Sequence, residues 1–243
     1  MTTWPKDLIA YLEDNFEVFI GWCCVSENQS SVYEFENSLS EVRVILKKYS
    51  LIGYHCTKLT RGEISKISKY GMSLQNGATL SSRLEKLVSE GSIIKEVAEK
   101  LRVDNQCDDG NRANMLWFCF YEPHKSGEHG INRLFKSWGG EALYNSHEGS
   151  DILGEVLKNI GIPCVINAIV PMKSIPNARL PWKEVIATFL SSKGFKLDNP
   201  TDYEGYSIES ITSDNIIDII EYPTEKFDKL TGCREWSKKI NSG

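Results

Sequence analysis

One stretch near residue 60 constrains the fold more than any other, because it predicts a buried strand that leads directly into a capped helix. Residues 51–56 form an apolar run that contains a single histidine, His55. Thr60 and Glu63 have the spacing of a capping box, and Gly71 is placed to end the helix that they begin. The sequence therefore predicts an imidazole at the end of a strand, beside the start of a helix.

Helix and strand patterns alternate along the rest of the chain, which predicts an α+β fold. Helices are predicted at 5–15, 38–48, 60–71, 80–103 with a break near Gly91, 130–137, 152–160 and 182–190. Strands are predicted at 51–56, 115–121, 141–144, 163–170, 203–208 and 216–220. The run 115–121 is almost continuously apolar and suits a central strand. The segment 17–25 has two interpretations, a strand or a buried extension of the preceding helix.

The strand patterns are concentrated after residue 50, and this predicts how the chain is organised. Residues 1–50 are interpreted as a helical N-terminal extension packed on a main domain that comprises 51–243. The polar and basic C-terminal tail is expected to be frayed. A chain of 243 residues is long enough to bury a core without disulfides or metal ions.

Composition and missing motifs exclude several classes of function. The net charge of −5 argues against broad binding to nucleic-acid backbones, although a local basic patch remains compatible with it. Seven cysteines, an odd number without a Cys-x-x-Cys pair, argue against a disulfide framework or a zinc site and favour the cytoplasm. We expect no metal site, no secretion signal and no membrane span. Glycine motifs of serine hydrolases, Rossmann dehydrogenases and P-loop nucleotidases do not occur.

His55 is the first candidate functional residue. A lone histidine is as readily a core residue bonded to the backbone as a ligand-binding residue. A functional role is favoured by its place at a strand end, by Thr57 on the same side of the strand, and by the helix start near Thr60.

A second candidate segment surrounds two adjacent glycines that follow Trp138. These glycines let the backbone turn sharply or approach a ligand closely. One interpretation is a turn from a helix to a strand, with Trp138 in the core. The other is a pocket lined by Glu141 and Tyr144.

A third candidate is Glu204, which is expected to open a strand that is followed by a short turn and a last strand. A carboxylate at this place is suited to stabilising a developing cation if the strand lies beside the one that carries His55. The alternative is an exposed residue of an edge strand.

Together these segments resemble the ADP-ribosyltransferase-like family of poly(ADP-ribose) polymerases and bacterial toxins. The resemblance covers about 50–222 and depends on the sequence Tyr-His-Cys-Thr at 54–57, on the helix that ends at Gly71, and on Glu204 before the last two strands. Candidates for the family's middle, aromatic motif are Phe120, Tyr121 and Tyr144. The resemblance implies a split, mixed β-sheet with helices around a cleft for NAD.

The resemblance also implies a reaction, the transfer of ADP-ribose from NAD with release of nicotinamide. His55 would bond to the nicotinamide ribose, and Thr57 would support that loop. Glu204 would hold the ribose 2′-hydroxyl and stabilise a transition state of oxocarbenium type. Glu141, Tyr121 and Tyr144 are further candidates for binding NAD. The acceptor could be a protein, a nucleic acid or water, as in a toxin, an antiviral defence protein or an NAD glycohydrolase.

Two alternatives remain open from the sequence. RNA 2′-phosphotransferases share the overall fold and need basic residues, for which Lys58, Arg61 and Arg112 are available. A non-catalytic interaction module on a degenerate version of the same fold would use the acidic surface and the aromatic residues Trp117, Trp138 and Trp182.

Overall fold

The structure, a computed structural model, describes residues 3–23, 30–195 and 202–240. Within these ranges the chain forms eleven α-helices and five strands. The helices are α1 (Lys6–Asp14), α2 (Phe16–Cys23), α3 (Val32–Leu46), α4 (Arg61–Tyr70), α5 (Gly77–Ser89), α6 (Lys95–Val103), α7 (Gly127–Lys136), α8 (Glu141–His147), α9 (Leu153–Asn159), α10 (Trp182–Ser192) and α11 (Glu225–Thr231). The strands are β1 (Ser50–Leu59), β2 (Leu116–Cys119), β3 (Ile162–Pro171), β4 (Glu204–Ser207) and β5 (Ile216–Glu221).

The predicted α+β class is confirmed, and most of the predicted elements occur near their expected positions. The ambiguous segment after residue 16 is the helix α2 as far as Cys23, and the rest of that segment lies outside the described residues. The predicted strand at 141–144 is wrong, because these residues belong to helix α8. Gly139 and Gly140, both with positive φ, turn the chain from one helix into the next rather than into a strand.

The chain divides into two compact units. The first comprises Met1–Leu51 and Pro171–Gly205, and the second comprises Ile52–Val170 and Tyr206–Gly243. The N-terminal helices thus share a unit with α10, a grouping that hydrophobic periodicity alone does not reveal.

Phe35 of α3 is central to the core of the first unit. Its ring stacks on that of Trp22 at a centroid distance of 4.5 Å, and it meets Phe19 and Trp182 edge-on at 6.4 and 6.2 Å. Helices α2, α3 and α10 are therefore joined by aromatic contacts, which add orientational preference to apolar burial.

The sheet has the strand order β4-β2-β1-β3-β5, and it is antiparallel, whereas the resemblance implied a split, mixed sheet. Strand β2 lies in the interior of the sheet, as its continuous apolar run predicted, and β4 lies at an edge. In the second unit, a buried cluster joins the strands to α7 and α11; it includes Cys56, Phe135, Val165, Ile220 and Phe227.

The described residues of the C-terminal tail, up to residue 240, pack in the second unit, which differs from the predicted frayed tail. Phe227 and Trp236 are buried in the core that includes Phe135. The carboxylate of Glu128 also accepts hydrogen bonds from the backbone N–H groups of Ser237 and Lys238, at 2.8 and 2.9 Å. Apolar burial and these bonds together hold a segment whose polar composition had suggested disorder.

A second buried cluster of the same unit is made by helices α5, α6, α8 and α9. Trp138 is fully buried in it, among Leu84, Leu101, Leu143 and Leu157. The prediction that Trp138 belongs to the core is confirmed. No described helix combines the length and the apolar character needed to cross a membrane.

Helix α4 begins and ends as the sequence predicted. The Thr60 side chain accepts a bond from the Glu63 N–H, and the Glu63 carboxylate accepts one from the Thr60 N–H at 2.8 Å. Gly71 follows the helix with φ of +83°, and Met72 then forms an isolated β-bridge with Ile211. The end of α4 is thereby linked to the segment that precedes β5.

Candidate functional site

His55 lies on β1, next to the residue that sets the register with β2. Tyr54 is paired with Cys119 in this antiparallel register. At the next residue of β1, Nδ1 of His55 lies 2.8 Å from the backbone oxygen of Trp117. A side chain of β1 is therefore bonded to the backbone of β2.

The bond to Trp117 determines which nitrogen of His55 carries the proton. A carbonyl oxygen only accepts, so the neutral ring must donate through Nδ1, and Nε2 is then an acceptor. Burial lowers the pKa of His55, the bond to the Trp117 carbonyl opposes this shift, and the positive charge of Arg83 lowers the pKa further. The site thus holds a neutral, oriented imidazole whose remaining nitrogen accepts a hydrogen bond.

This lowered pKa predicts a pH dependence of stability. The folded protein binds the His55 proton less readily than the unfolded chain, whose histidine has its ordinary pKa of 6.5. The contribution of neutral His55 to the free energy of unfolding is therefore fully present above pH 6.5 and is lost as the pH falls below it. Replacing His55 by alanine is expected to reduce this loss. The midpoints of urea unfolding, measured at about pH 7.5 and about pH 5.5, test this prediction. His129→Ala, which changes an exposed histidine, is the control. An unchanged pH dependence in His55→Ala would contradict the prediction.

Alternation along β1 separates a core face from the face that carries the candidate residues. Tyr54 and Cys56 pack in the buried cluster with α7 and α11. His55 and Thr57 lie on the opposite face and are half-buried, which agrees with the predicted period of two. The aromatic ring next to His55 is that of Phe118, at a centroid distance of 5.9 Å.

Arg83 of α5 contributes to the electrostatics of His55, and its guanidinium contacts Glu63, Trp138 and Gln75. Its Nε donates to Oε1 of Glu63 at 2.6 Å, and its Cζ lies 4.4 Å from the centroid of the Trp138 ring. Trp138 Nε1 donates to the other oxygen of Glu63 at 3.0 Å. Burial would raise the pKa of Glu63, but Arg83 and the bonds from Thr60 and Trp138 keep it below its usual value. Glu63 therefore stays ionised and fixes the position of Arg83.

Glu141 and Tyr144 form a cluster of their own on α8. The buried hydroxyl of Tyr144 donates to Glu141 Oε1 at 3.2 Å, and Glu141 Oε2 accepts from Arg112 at 3.4 Å. Burial, followed by the charge of Glu141, raises the pKa of Tyr144 well above its usual value. These two candidates are joined to each other by hydrogen bonds, whereas the bond of His55 is made with Trp117.

A chain of hydrogen bonds nevertheless links the α8 cluster with the histidine. Arg112 donates to the side chain of Asn111 at 3.0 Å, and the backbone oxygen of Asn111 accepts from Trp117 Nε1 at 3.3 Å. Trp117 in turn accepts the bond from His55. Glu141 thus contributes to the position of the loop that precedes β2.

The other aromatic candidates lie at the end of β2. The ring of Phe120 packs against Phe118 at 6.1 Å, and the hydroxyl of Tyr121 lies 3.0 Å from Ser126 Oγ. The structure also brings together Trp117 and Tyr206, whose ring centroids are 4.8 Å apart. The indole of Trp117 is exposed, so this pair offers aromatic surface beside the backbone group that orients His55.

Glu204 is the first residue of the edge strand β4 and is exposed. The division into units runs through this strand, with Glu204 counted in the first unit and Tyr206 in the second. In the strand order β4 adjoins β2, which adjoins β1. Glu204 is thus grouped with the first unit, whereas His55 and the strand β2 that orients it belong to the second.

The basic residues that a phosphotransferase would use are already engaged. Lys58 is buried, its ammonium donates to the backbone oxygen of Lys158, and burial lowers its pKa to about 8. Arg61 pairs with Glu221, and Arg112 pairs with two carboxylates. Within the described ranges, no group of three or more histidine, cysteine or acidic side chains could hold a metal ion.

The sequence analysis did not identify Arg83 or Phe118 as site residues, and it did not predict that the Trp117 carbonyl orients His55. One signal was present for Arg83, because its spacing from Leu80, Leu84 and Leu87 places a charge on the buried face of a helix. Phe118 and Trp117 were visible only as members of an apolar strand, which gives no sign of which residue lies opposite His55.

Comparisons with known proteins give no match to this chain among family models, curated proteins or solved structures. A functional assignment must therefore be argued from the site itself.

Proposed function

We propose that this protein cleaves NAD at the nicotinamide–ribose bond and transfers ADP-ribose to an acceptor, or to water. The observation that carries the proposal is the neutral His55 of β1, with Nδ1 bonded to the Trp117 carbonyl and Nε2 left as an acceptor. An oriented acceptor of this kind suits a ribose hydroxyl, which can donate to it.

The cleavage itself requires a negative charge near the ribose. As nicotinamide leaves, positive charge develops on the sugar ring, and a preorganised carboxylate stabilises it. We assign this role to Glu204. Its support is its exposure at the head of β4.

Nicotinamide is a flat ring with a positive charge while it is bound in NAD, so it favours an aromatic surface. Phe118 beside His55 and the exposed indole of Trp117 offer such surfaces. Thr57 would support the His55 loop, and Tyr121 remains a candidate for contact with NAD. Glu141 and Tyr144 are assigned an indirect role, because Arg112 connects them to the loop before β2.

The decisive experiment measures nicotinamide released from NAD by the full chain. The wild type is expected to release it, and His55→Ala to reduce the rate by about tenfold to a hundredfold, because an oriented hydrogen bond to the reacting sugar is lost. His129→Ala, which changes an exposed histidine, is the matched control and should retain the wild-type rate.

Two outcomes would contradict the proposal. A wild-type protein that releases no nicotinamide, with protein and nucleic-acid acceptors supplied or omitted, would remove the assignment as an enzyme of this class. Stabilisation by ADP-ribose without any turnover would instead favour a binding module, since a ligand that binds only the folded state raises its melting temperature.

A further inference from the structure

The guanidinium of Arg83 is held in position by hydrogen bonds that use only some of its N–H donors. Arginine has five N–H donors in a planar fork. Hydrogen bonds between described residues account for Nε, which bonds to Glu63 at 2.6 Å, and for one donor of Nη1, which bonds to Gln75 Oε1 at 3.3 Å. The side chain keeps 24% of its surface exposed. The other donors of the fork are therefore available on the open side.

The residues that contact Arg83, namely Glu63, Trp138 and Gln75, make further hydrogen bonds of their own. The two oxygens of Glu63 accept bonds from Thr60, Trp138 and Arg83, and the Trp138 ring lies against the guanidinium plane. Gln75 is held through its amide, which donates to the Ser73 oxygen at 2.8 Å. A fork that is held in this way loses little side-chain entropy when it binds a ligand.

The place of Arg83 relative to His55 indicates the kind of ligand. Arg83 bonds to Glu63, and Glu63 caps the helix α4 that begins directly after β1, the strand that carries His55. The charge of Arg83 also contributes to the lowered pKa of His55, after burial. In NAD one methylene separates the nicotinamide ribose from the pyrophosphate. A site in which His55 binds this ribose therefore also requires a group that binds phosphate close to His55. A planar guanidinium matches two phosphate oxygens at once, which an ammonium group cannot do.

We propose that Arg83 binds the pyrophosphate of the dinucleotide, with its fork presented by Glu63, Trp138 and Gln75. This inference rests on the proposed function and deepens it, because it makes a nucleoside diphosphate the recognised part of the substrate. The protein would accordingly bind ADP-ribose as well as NAD.

The test titrates ADP-ribose into the full-length wild type and the Arg83→Lys variant by calorimetry. Lysine keeps the charge beside Glu63 but loses the fork, so affinity is expected to fall by at least about tenfold. With NAD as substrate, KM should rise by a similar factor while kcat changes little, a split that a general loss of structure would not produce. Arg102→Lys, in a surface ion pair of α6 with Glu99, is the matched control.

Gln75→Glu provides a second variant that leaves the Arg83–Glu63 pair intact, in case Arg83→Lys does not fold. The added carboxylate should compete with phosphate for Nη1 and weaken ADP-ribose binding by about fivefold or more. Equal affinity of the wild type and both folded variants for ADP-ribose would overturn the inference and leave the proposed function intact.

Failure of the proposed function can be recognised separately. If the wild type neither cleaves NAD nor binds ADP-ribose, inorganic pyrophosphate is titrated instead. A rise in melting temperature with pyrophosphate that disappears in Arg83→Lys would support the anion site alone. The absence of any rise, or an equal rise in both proteins, would overturn it.

Discussion

Replacing Glu204 by glutamine is expected to lower the rate of nicotinamide release by about 10²–10³-fold, because the neutral amide cannot stabilise the charge that develops on the ribose. The substitution keeps the size and shape of the side chain. Glu204 is exposed at the head of an edge strand, so the melting temperature should change little. The initial rate of nicotinamide release under saturating NAD measures the effect.

Glu209→Gln is the matched control for this prediction. Glu209 is also exposed and lies just after the same strand, where its backbone N–H is bonded to Ser207. It should retain the wild-type rate, since it lies beyond the end of β4. If Glu204→Gln keeps more than about a tenth of the activity, the carboxylate of Glu204 does not perform the proposed role. A similar loss in both variants would point to the general acidity of this surface instead.

Replacing Gly71 by alanine is expected to have the largest effect on stability. Gly71 has φ of +83° and ψ of −169°, a region that is almost restricted to glycine. An added Cβ would lie 1.9 Å from the backbone oxygen of Ile211, which belongs to the β-bridge with Met72. Strain and the forced separation of that bridge together are expected to cost about 3 kcal/mol or more.

For a chain of this size, such a loss corresponds to a fall in melting temperature of about 6–12 °C. Differential scanning calorimetry measures it. Gly110→Ala is the control, because a Cβ at Gly110 meets no atom within 4 Å. A decrease in Gly71→Ala no larger than in Gly110→Ala would show that the turn after α4 adapts to a side chain.

Local signals predicted the elements well, because they depend on neighbours in sequence. The capping box of Thr60 and Glu63 and the apolar run around Phe118 specify a helix start and an interior strand without reference to the rest of the chain. The same signals failed where an element is short. Helix α8 has only seven residues, too few for its apolar period to be distinguished from that of a strand.

Long-range partners could not be predicted in this way. The bond of His55 to Trp117 joins residues that are 62 positions apart, and the bond of Glu63 to Trp138 joins residues 75 apart. Neither bond has a sequence motif, because each depends on how strands and helices meet in space. The sequence therefore indicated His55 and Glu204 as candidates, whereas for Arg83 it offered only a charge among the buried leucines of a helix and no partner.

The bond that orients His55 ends on a backbone oxygen, and this has a consequence for mutational tolerance. Every amino acid at position 117 supplies the same carbonyl, so the imidazole keeps its orientation whatever side chain is present there. The indole of Trp117 is exposed and packs on Tyr206. In the proposed enzyme, substitutions at this position would therefore alter the aromatic surface assigned to nicotinamide and leave the orientation of His55 unchanged.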